Sequence, residues 1–181
     1  MELKLIHIEN IVHMECRNAN SRGKGLVTMS DLIRTSLRMR PDRIIVGEVR
    51  GGEVVDMLQA MNTGHAGSMS TGHGNSIEGM LKRLESMYLM AVSLNVEAIR
   101  AQIAEGIDVM IHLERDSMRN RHIVEMKEVT GYENGEFILN DLMQGSGGMM
   151  NLKKAEGRSL RHVEILRRGT GCGDAPREDI L

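Results

Sequence analysis

The sequence predicts an α/β fold: a central, mostly parallel sheet flanked by helices, with an antiparallel hairpin extension. Three observations carry that reading. Ile44, Ile45 and Val46 are consecutive β-branched residues bounded by Pro41 and Gly47, the pattern of a short strand buried on both faces. Apolar stripes at helical spacing alternate with such short runs, as they do when helices connect strands. Asn134-Gly135, lying between two extended runs, is a strong signal for a tight hairpin.

A chain of 181 residues with 41% apolar content can bury one ordinary core, with or without an appendage. The boundaries fall at residues 1–144 for the partial α/β domain and 145–181 for a linker, a terminal helix and a tail. Lys and Arg number 23 against 25 Asp and Glu. That balance gives no cationic patch for phosphates to condense on, so nucleic acid is not an expected partner. Rings are scarce (two Tyr, one Phe, no Trp) while Met reaches 16, so thioethers are expected to fill core gaps that rings would otherwise occupy. Cys16 and Cys172 form no CxxC or recurring pattern, which argues against a disulfide framework or zinc ribbon and suits a reducing cytoplasm. No run of 18 apolar residues is present, so membrane association is expected only through partners.

In chain order, residues 3–8 and 11–16 read as short strands at a sheet edge, followed by a loop over 18–28. Arg22-Gly23-Lys24-Gly25 is no phosphate loop, because GxxxxGK[ST] needs a lysine followed by a hydroxyl residue opening a helix. Ser30 is the expected cap of a helix reaching Arg40, with Ile33 and Leu37 on its apolar side and Pro41 ending it. Arg34, Arg38 and Arg40 lie near one face, either solvated or available to phosphates or a neighbouring subunit. A second helix is expected from Gly52 to Asn62, stopped by Gly64. A small, hydroxyl-rich strand at residues 67–71 leads to a loop, and Ser76 caps the next helix. Asn95 caps another, with Ile99 and Ile103 four apart. Arg83 and Arg100 read as charged-face residues without assigned roles. Residues 107–113 form a strand with a structural His112. Runs at 121–129 and 136–142 form the hairpin, part of the same sheet or an antiparallel extension of it. Gly145 to Gly148 read as a linker, 158–168 as a helix and 170–181 as a frayed tail.

The chemistry concentrates where the first strand ends. Glu48 would stand at the carboxyl end of a central strand, where open α/β sheets gather their ligands. Arg50, two residues on, points the same way along an extended chain. By themselves the two could be only an ion pair. His65 and His73 then bracket the hydroxyl-rich strand; a metal pair is a weaker reading, since no third ligand stands at HExxH or CxxC spacing.

Taken together, Arg40-Pro41-Asp42-Arg43-Ile44-Ile45-Val46-Gly47-Glu48-Val49-Arg50-Gly51-Gly52-Glu53, Thr63-Gly64-His65 and Thr71-Gly72-His73-Gly74-Asn75 closely resemble the type II/IV secretion ATPase superfamily, and within it the Tad (CpaF-type) branch that drives pilus assembly. The resemblance covers most of residues 1–142. It implies a partial RecA-like P-loop NTPase core. It also implies that Gly47-Glu48-Val49-Arg50 is an atypical Walker B whose glutamate orients the attacking water, and that the histidines form the His box. On that reading Glu48 and His73 are catalytic, while Arg50, Thr71 and His65 contact the nucleotide. Gly72 departs from the pattern, standing where an aliphatic residue is common and loosening the backbone before His73. ATP and Mg²⁺ are the implied cofactors. A homohexamer at the cytoplasmic face of the membrane, driving polytopic platform proteins, is the implied assembly.

No GxxxxGK[ST] occurs in the 181 residues. The resemblance places that loop upstream of Walker B, so the chain is expected to be the carboxyl-terminal part of such an ATPase and inactive alone. A non-catalytic interaction module and a metal hydrolase built on His65, His73 and Glu48 are the two other readings.

Overall fold

A computed structural model describes residues 8–144 and 151–152. The first element, α1 (Met29–Leu37), is started by a reciprocal capping box. The Thr28 hydroxyl accepts from the Asp31 amide at 3.1 Å, and the Asp31 carboxylate accepts from the Thr28 amide at 2.9 Å. The cap is therefore Thr28 and not Ser30, because only Thr28 has an acid three residues downstream. The helix also ends at Leu37, short of the expected Arg40, and Arg40 takes a left-handed φ of 51° just before Pro41.

β1 (Ile45–Val46) and β2 (Met69–Ser70) pair in parallel, with Ile45 opposite Met69 and Val46 opposite Ser70. α2 (Val54–Asn62) is the crossover between them. The ladder is short but is prolonged at both ends. The Met69 amide donates to the Ile44 carbonyl, the Ser68 hydroxyl accepts from the Ile44 amide, and the Val49 amide donates to the Thr71 carbonyl at 3.0 Å. β1 is less sealed than a fully buried strand: Ile44, Val46 and Val49 are buried while Ile45 is half-buried.

α3 (Ile77–Ala91) and α4 (Val96–Gly106) start at the expected caps, with the Ser76 hydroxyl accepting from the Gly79 amide and Asn95 Oδ1 from the Glu97 amide. In α3, Ile77, Leu81, Leu84 and Tyr88 recur at intervals of four, three and four, which places them on one helical face. That face meets Val54, Met57 and Leu58 of α2 and Ile99 and Ile103 of α4 in one core. Met57 and Met87 are buried in it and Met29, Met61, Met80 and Met110 pack around it, so methionine does fill space that rings would otherwise take. The Tyr88 hydroxyl donates to Gln102 Oε1 at 2.5 Å, satisfying its polar end inside the helical layer.

A three-stranded antiparallel sheet follows in the order β3 (Val109–Arg115), β4 (Arg121–Glu133), β5 (Glu136–Asp141). Asn134 and Gly135 have φ of 51° and 88°, two left-handed residues as a type I′ turn requires. β4 runs four residues beyond the expected end at Val129, because a register shift between Val129 and Gly131 absorbs Thr130 and lets pairing resume. Two short strands, β6 (Met143–Gln144) and β7 (Asn151–Leu152), pair separately. The parallel part of the fold is the β1–β2 pair, and the hairpin belongs to an antiparallel sheet rather than to that ladder.

The strand expected at 11–16 does not form. Those residues are largely exposed, with Val12 at 62%, and the nearest pairing is a single bridge between Arg17 and Val27. The first seven residues, the 145–148 linker, the terminal helix, the tail and Cys172 lie outside the described residues.

Two large-to-small substitutions separate core from surface. Leu58→Ala, at a side chain with 0% exposure, should lower the unfolding free energy by about 2–5 kcal/mol, whereas Met118→Ala, at 80% exposure, should shift it by no more than about 0.5 kcal/mol. Urea denaturation of the two variants measures both, and equal losses would mean that α2 does not pack as described.

Candidate active site

Because β1 and β2 run parallel, the residues that follow them emerge at the same end. Val49 is anchored to Thr71 through the backbone, and the Thr71 hydroxyl donates to the Gly47 carbonyl at 2.5 Å. These two bonds hold the chain on either side of Glu48 against the chain leading to His73. Glu48 is only 9% exposed at its side chain, and its carboxylate faces Arg50 and His73. Arg50, largely in solvent, donates to Oε2. His73 brings Nε2 to 3.0 Å from Oε1. That approach lacks hydrogen-bond alignment, so Oε1 stays buried without a hydrogen-bond partner among the described residues.

The hydrogen bond from Arg50 holds the Glu48 carboxyl below the ordinary carboxylate value of 4.5, and the charges of Arg50, His73 and Arg83 add to it against the opposing cost of burial. The acid is thus ionised at neutral pH, as an acceptor of a proton from water must be.

The turn after Glu48 is fixed by a residue to which the sequence gave no role. Glu53 Oε1 accepts from the amides of Arg50 and Gly51, at 2.6 and 3.0 Å, closing the turn that leads into α2. Gly52 is required by packing: a Cβ there would lie 2.9 Å from the Ala91 Cβ at the end of α3.

His73 projects from a Gly-His-Gly segment and is 80% exposed. Gly72 does not supply backbone freedom, since its φ is not among the left-handed ones. It supplies space. A Cβ at Gly72 would sit 2.3 Å from the Met80 methyl, and one at Gly74 would sit 3.0 Å from Met80 Cβ and 3.3 Å from Met80 Cα. The segment carrying His73 therefore lies directly on α3. Beside it opens a cleft of about 350 Å³ lined by His73, Gly74, Asn75, Gly79 and Arg83.

The expected site residues are thus only partly assembled. Glu48, Arg50 and His73 converge. Thr71 is adjacent, with its hydroxyl engaged by Gly47. His65 is not brought to them: it precedes β2, at the other end of the parallel pair, and its Nδ1 lies 3.1 Å from the Ala60 carbonyl in the last turn of α2. Arg83 is the residue that sequence reasoning left out. Its spacing of four from Gly79 put it on the side of α3 that carries no apolar stripe, and nothing in the sequence says that a loop would fold over that side.

An ionised acid and an imidazole at the carboxyl ends of parallel strands, with a cleft beside the imidazole, define the class: an α/β protein with its candidate site where such sheets bind ligands. The comparisons with known proteins narrow it. Residues 1–159 match the family model described as type II/IV secretion system protein, and the chain belongs to that family. It is 43% identical over 117 residues to a putative conjugal transfer protein of Mycobacterium tuberculosis, covering 65% of this chain and 33% of that one. It is 34% identical over 137 residues to the conjugal transfer protein TrbB of Rhizobium radiobacter, covering 74% of this chain and 41% of that one. Among solved structures it resembles the VirB11 ATPase of the Brucella suis type IV secretion system in complex with sulphate, at a TM-score of 0.54 and 36% identity, over 56% of this chain and 32% of that chain. The fold is accordingly that of a RecA-like secretion ATPase. The chain spans between a third and two-fifths of the length of these curated relatives.

Two predictions follow from this geometry. Gly72→Ala should be relieved by a companion Met80→Ala, because only the far end of the Met80 side chain is in the way. Gly74→Ala should cost about 1–3 kcal/mol and not be relieved, because the Cα and Cβ of residue 80 and the Ser76 carbonyl remain. Thermal melts of the four variants decide between them. The second concerns pH. With its folded value depressed, Glu48 contributes its ion-pair stability in full above the unfolded value of 4.5 and loses it as pH falls through the lower folded value. The stability gap between wild type and Arg50→Gln should therefore narrow in acid, and a gap that is constant down to the acid limit would remove the pair from the account.

Proposed function

We propose that this chain supplies the water-activating half of a secretion ATPase site, in which Glu48 positions the attacking water and His73 contacts the terminal phosphate of ATP. The observation that carries the reading is the buried Oε1 of an ionised Glu48, which has no hydrogen-bond partner among the described residues and lies 3.0 Å from the His73 that lines the open cleft. A carboxylate atom left without a donor in a nearly sealed position is set to accept one, and a water molecule about to attack phosphorus supplies the proton.

The fit to a nucleotide is one-sided. The cleft offers imidazole and guanidinium donors to phosphoryl oxygens, and at about 350 Å³ it has room for a phosphoryl group and its water. No GxxxxGK[ST] occurs in the chain, so the β-phosphate cradle and its lysine must come from elsewhere in the active assembly. Mg²⁺, when bound with ATP, would neutralise charge on the phosphates. Among the described residues no cluster of three His, Cys, Asp or Glu could cage it. Arg50 holds one carboxylate oxygen still, which leaves the other aimed at the reacting centre; this is positioning rather than bond-making. Thr71 serves as the tether between β1 and β2. His65 lies before β2, against the Ala60 carbonyl and apart from Glu48 and His73.

Beyond the site, membership in the family supports coupling of ATP hydrolysis to export or pilus assembly, a hexameric ring of subunits, and polytopic membrane platform proteins as partners on the cytoplasmic side. Among the described residues no helix is long and apolar enough to cross a membrane. The Tad-type affiliation belongs to the same proposal. The second reading is a non-catalytic oligomerisation module derived from such an ATPase.

Residues 1–181 assayed alone should turn over ATP negligibly. In a polypeptide that joins them to a phosphate-loop segment, Glu48→Gln should reduce kcat by at least about 100-fold while leaving ATP affinity within about threefold, since the isostere keeps shape and removes the anionic acceptor. Turnover unchanged by Glu48→Gln, or absent from the joined wild type despite ATP binding, would favour the non-catalytic module.

A further inference from the structure

Arg83 is a cation that lines the cleft without a role in holding the fold. Arg34 is paired with Asp56 and Arg100 with Glu85. Arg83, by contrast, is exposed and makes no hydrogen bond or ion pair among the described residues, although it lines the cleft with His73 and lies near enough for its charge to act on Glu48. A guanidinium on a regular helix and an imidazole that line one cleft, with room in it for a phosphate, are the donors an oxyanion clamp needs.

The end of α3 does not itself offer that service. The Gly79 amide is taken by the Ser76 hydroxyl, the Met80 amide by the Ser76 carbonyl and the Ile77 amide by Glu125 Oε2. An anion in the cleft would therefore be held by side chains rather than by helix amides. Gly79, one turn before Arg83, carries no Cβ and leaves the floor of the cleft clear.

We propose that Arg83 is a second phosphate-binding residue of this site, which grips the terminal phosphoryl oxyanions of the nucleotide together with His73. This rests on the proposed function for the identity of the ligand but not for the existence of the anion site. The clamp also defines what each cation does. Arg50 holds Glu48, so it is not available to the phosphate in this arrangement. Arg83 compensates the negative charge that Glu48 would otherwise present to an incoming phosphate. α3 is also secured from its other side: Lys127 of β4, mostly buried, reaches Glu78 in the first turn at 2.5 Å, so the helix that presents Arg83 is fixed to the antiparallel sheet.

The test uses the 181-residue chain and pyrophosphate as probe, with the backbone amides of Gly74, Asn75 and Gly79 followed by NMR. Wild type should show saturable shifts at these amides. Arg83→Gln should weaken binding by about tenfold or more and Arg83→Lys should recover part of it. Lys82→Gln, which removes the same charge from the neighbouring exposed position, should change affinity by less than about twofold. Equal losses in Arg83→Gln and Lys82→Gln would reduce the effect to general charge and overturn the proposal, as would no saturable shift in wild type. Circular dichroism of each variant guards against unfolding, and Arg83→Gln should retain the wild-type melt because the side chain is exposed. Pyrophosphate held by Arg83 in a protein whose ATP turnover ignores Glu48→Gln would leave the clamp standing and remove only the hydrolytic reading.

Discussion

The whole site depends on the parallel pairing of two very short strands. Ile45 against Met69 and Val46 against Ser70 fix the register, and with it the fact that the chain leaving β1 and the chain leaving β2 emerge side by side. A one-residue slip would turn Glu48 to the opposite face of its strand. So short a ladder is weak alone, and it is held by what surrounds it: Val49 to Thr71 through the backbone, Thr71 to Gly47 through a hydroxyl, Ser68 to Ile44 at the far end, and the apolar faces of α2 and α3 beneath. The acid and the imidazole are neighbours because those bonds leave them no alternative.

Charge is arranged around Glu48 so that burial does not neutralise it. A carboxyl with 9% exposure would ordinarily be pushed toward its protonated form, yet the Arg50 hydrogen bond and the positive surroundings outweigh that. Arg50 occupies one carboxylate oxygen, and the other has no hydrogen-bond partner among the described residues. The small residues on either side of His73 serve a different need, the close seating of that segment on Met80. Packing thus brings the imidazole to within 3.0 Å of the acid, while leaving most of its ring surface in solvent.

Much of this was legible in the sequence where the signal is local. Ser76 and Asn95 cap their helices, Asn134-Gly135 turns the hairpin, and Gly47-Glu48-Val49-Arg50 ends a buried strand, because each depends on residues within a few positions. One miss is local and the others are tertiary. Thr28, not Ser30, caps α1 because only Thr28 has an acid three residues on to return its hydrogen bond. Residues 11–16 alternate well enough for a strand but pair with no described neighbour. His65 matched a motif and lies before β2 while His73 follows it, and Arg83 matched none yet lines the cleft, because motif spacing does not say which end of a strand or which side of a helix faces a ligand.

The central claim is that Glu48 and His73 share one reaction centre at the carboxyl end of the parallel pair. A crystal structure of these residues joined to a phosphate-loop segment, with ADP, Mg²⁺ and aluminium fluoride, tests it most directly. The account predicts the water in line with the aluminium within hydrogen-bond reach of Glu48 Oε1, with His73 turned to the metal fluoride. A metal fluoride bound away from both side chains, with Glu48 still closed between Arg50 and His73, would contradict it.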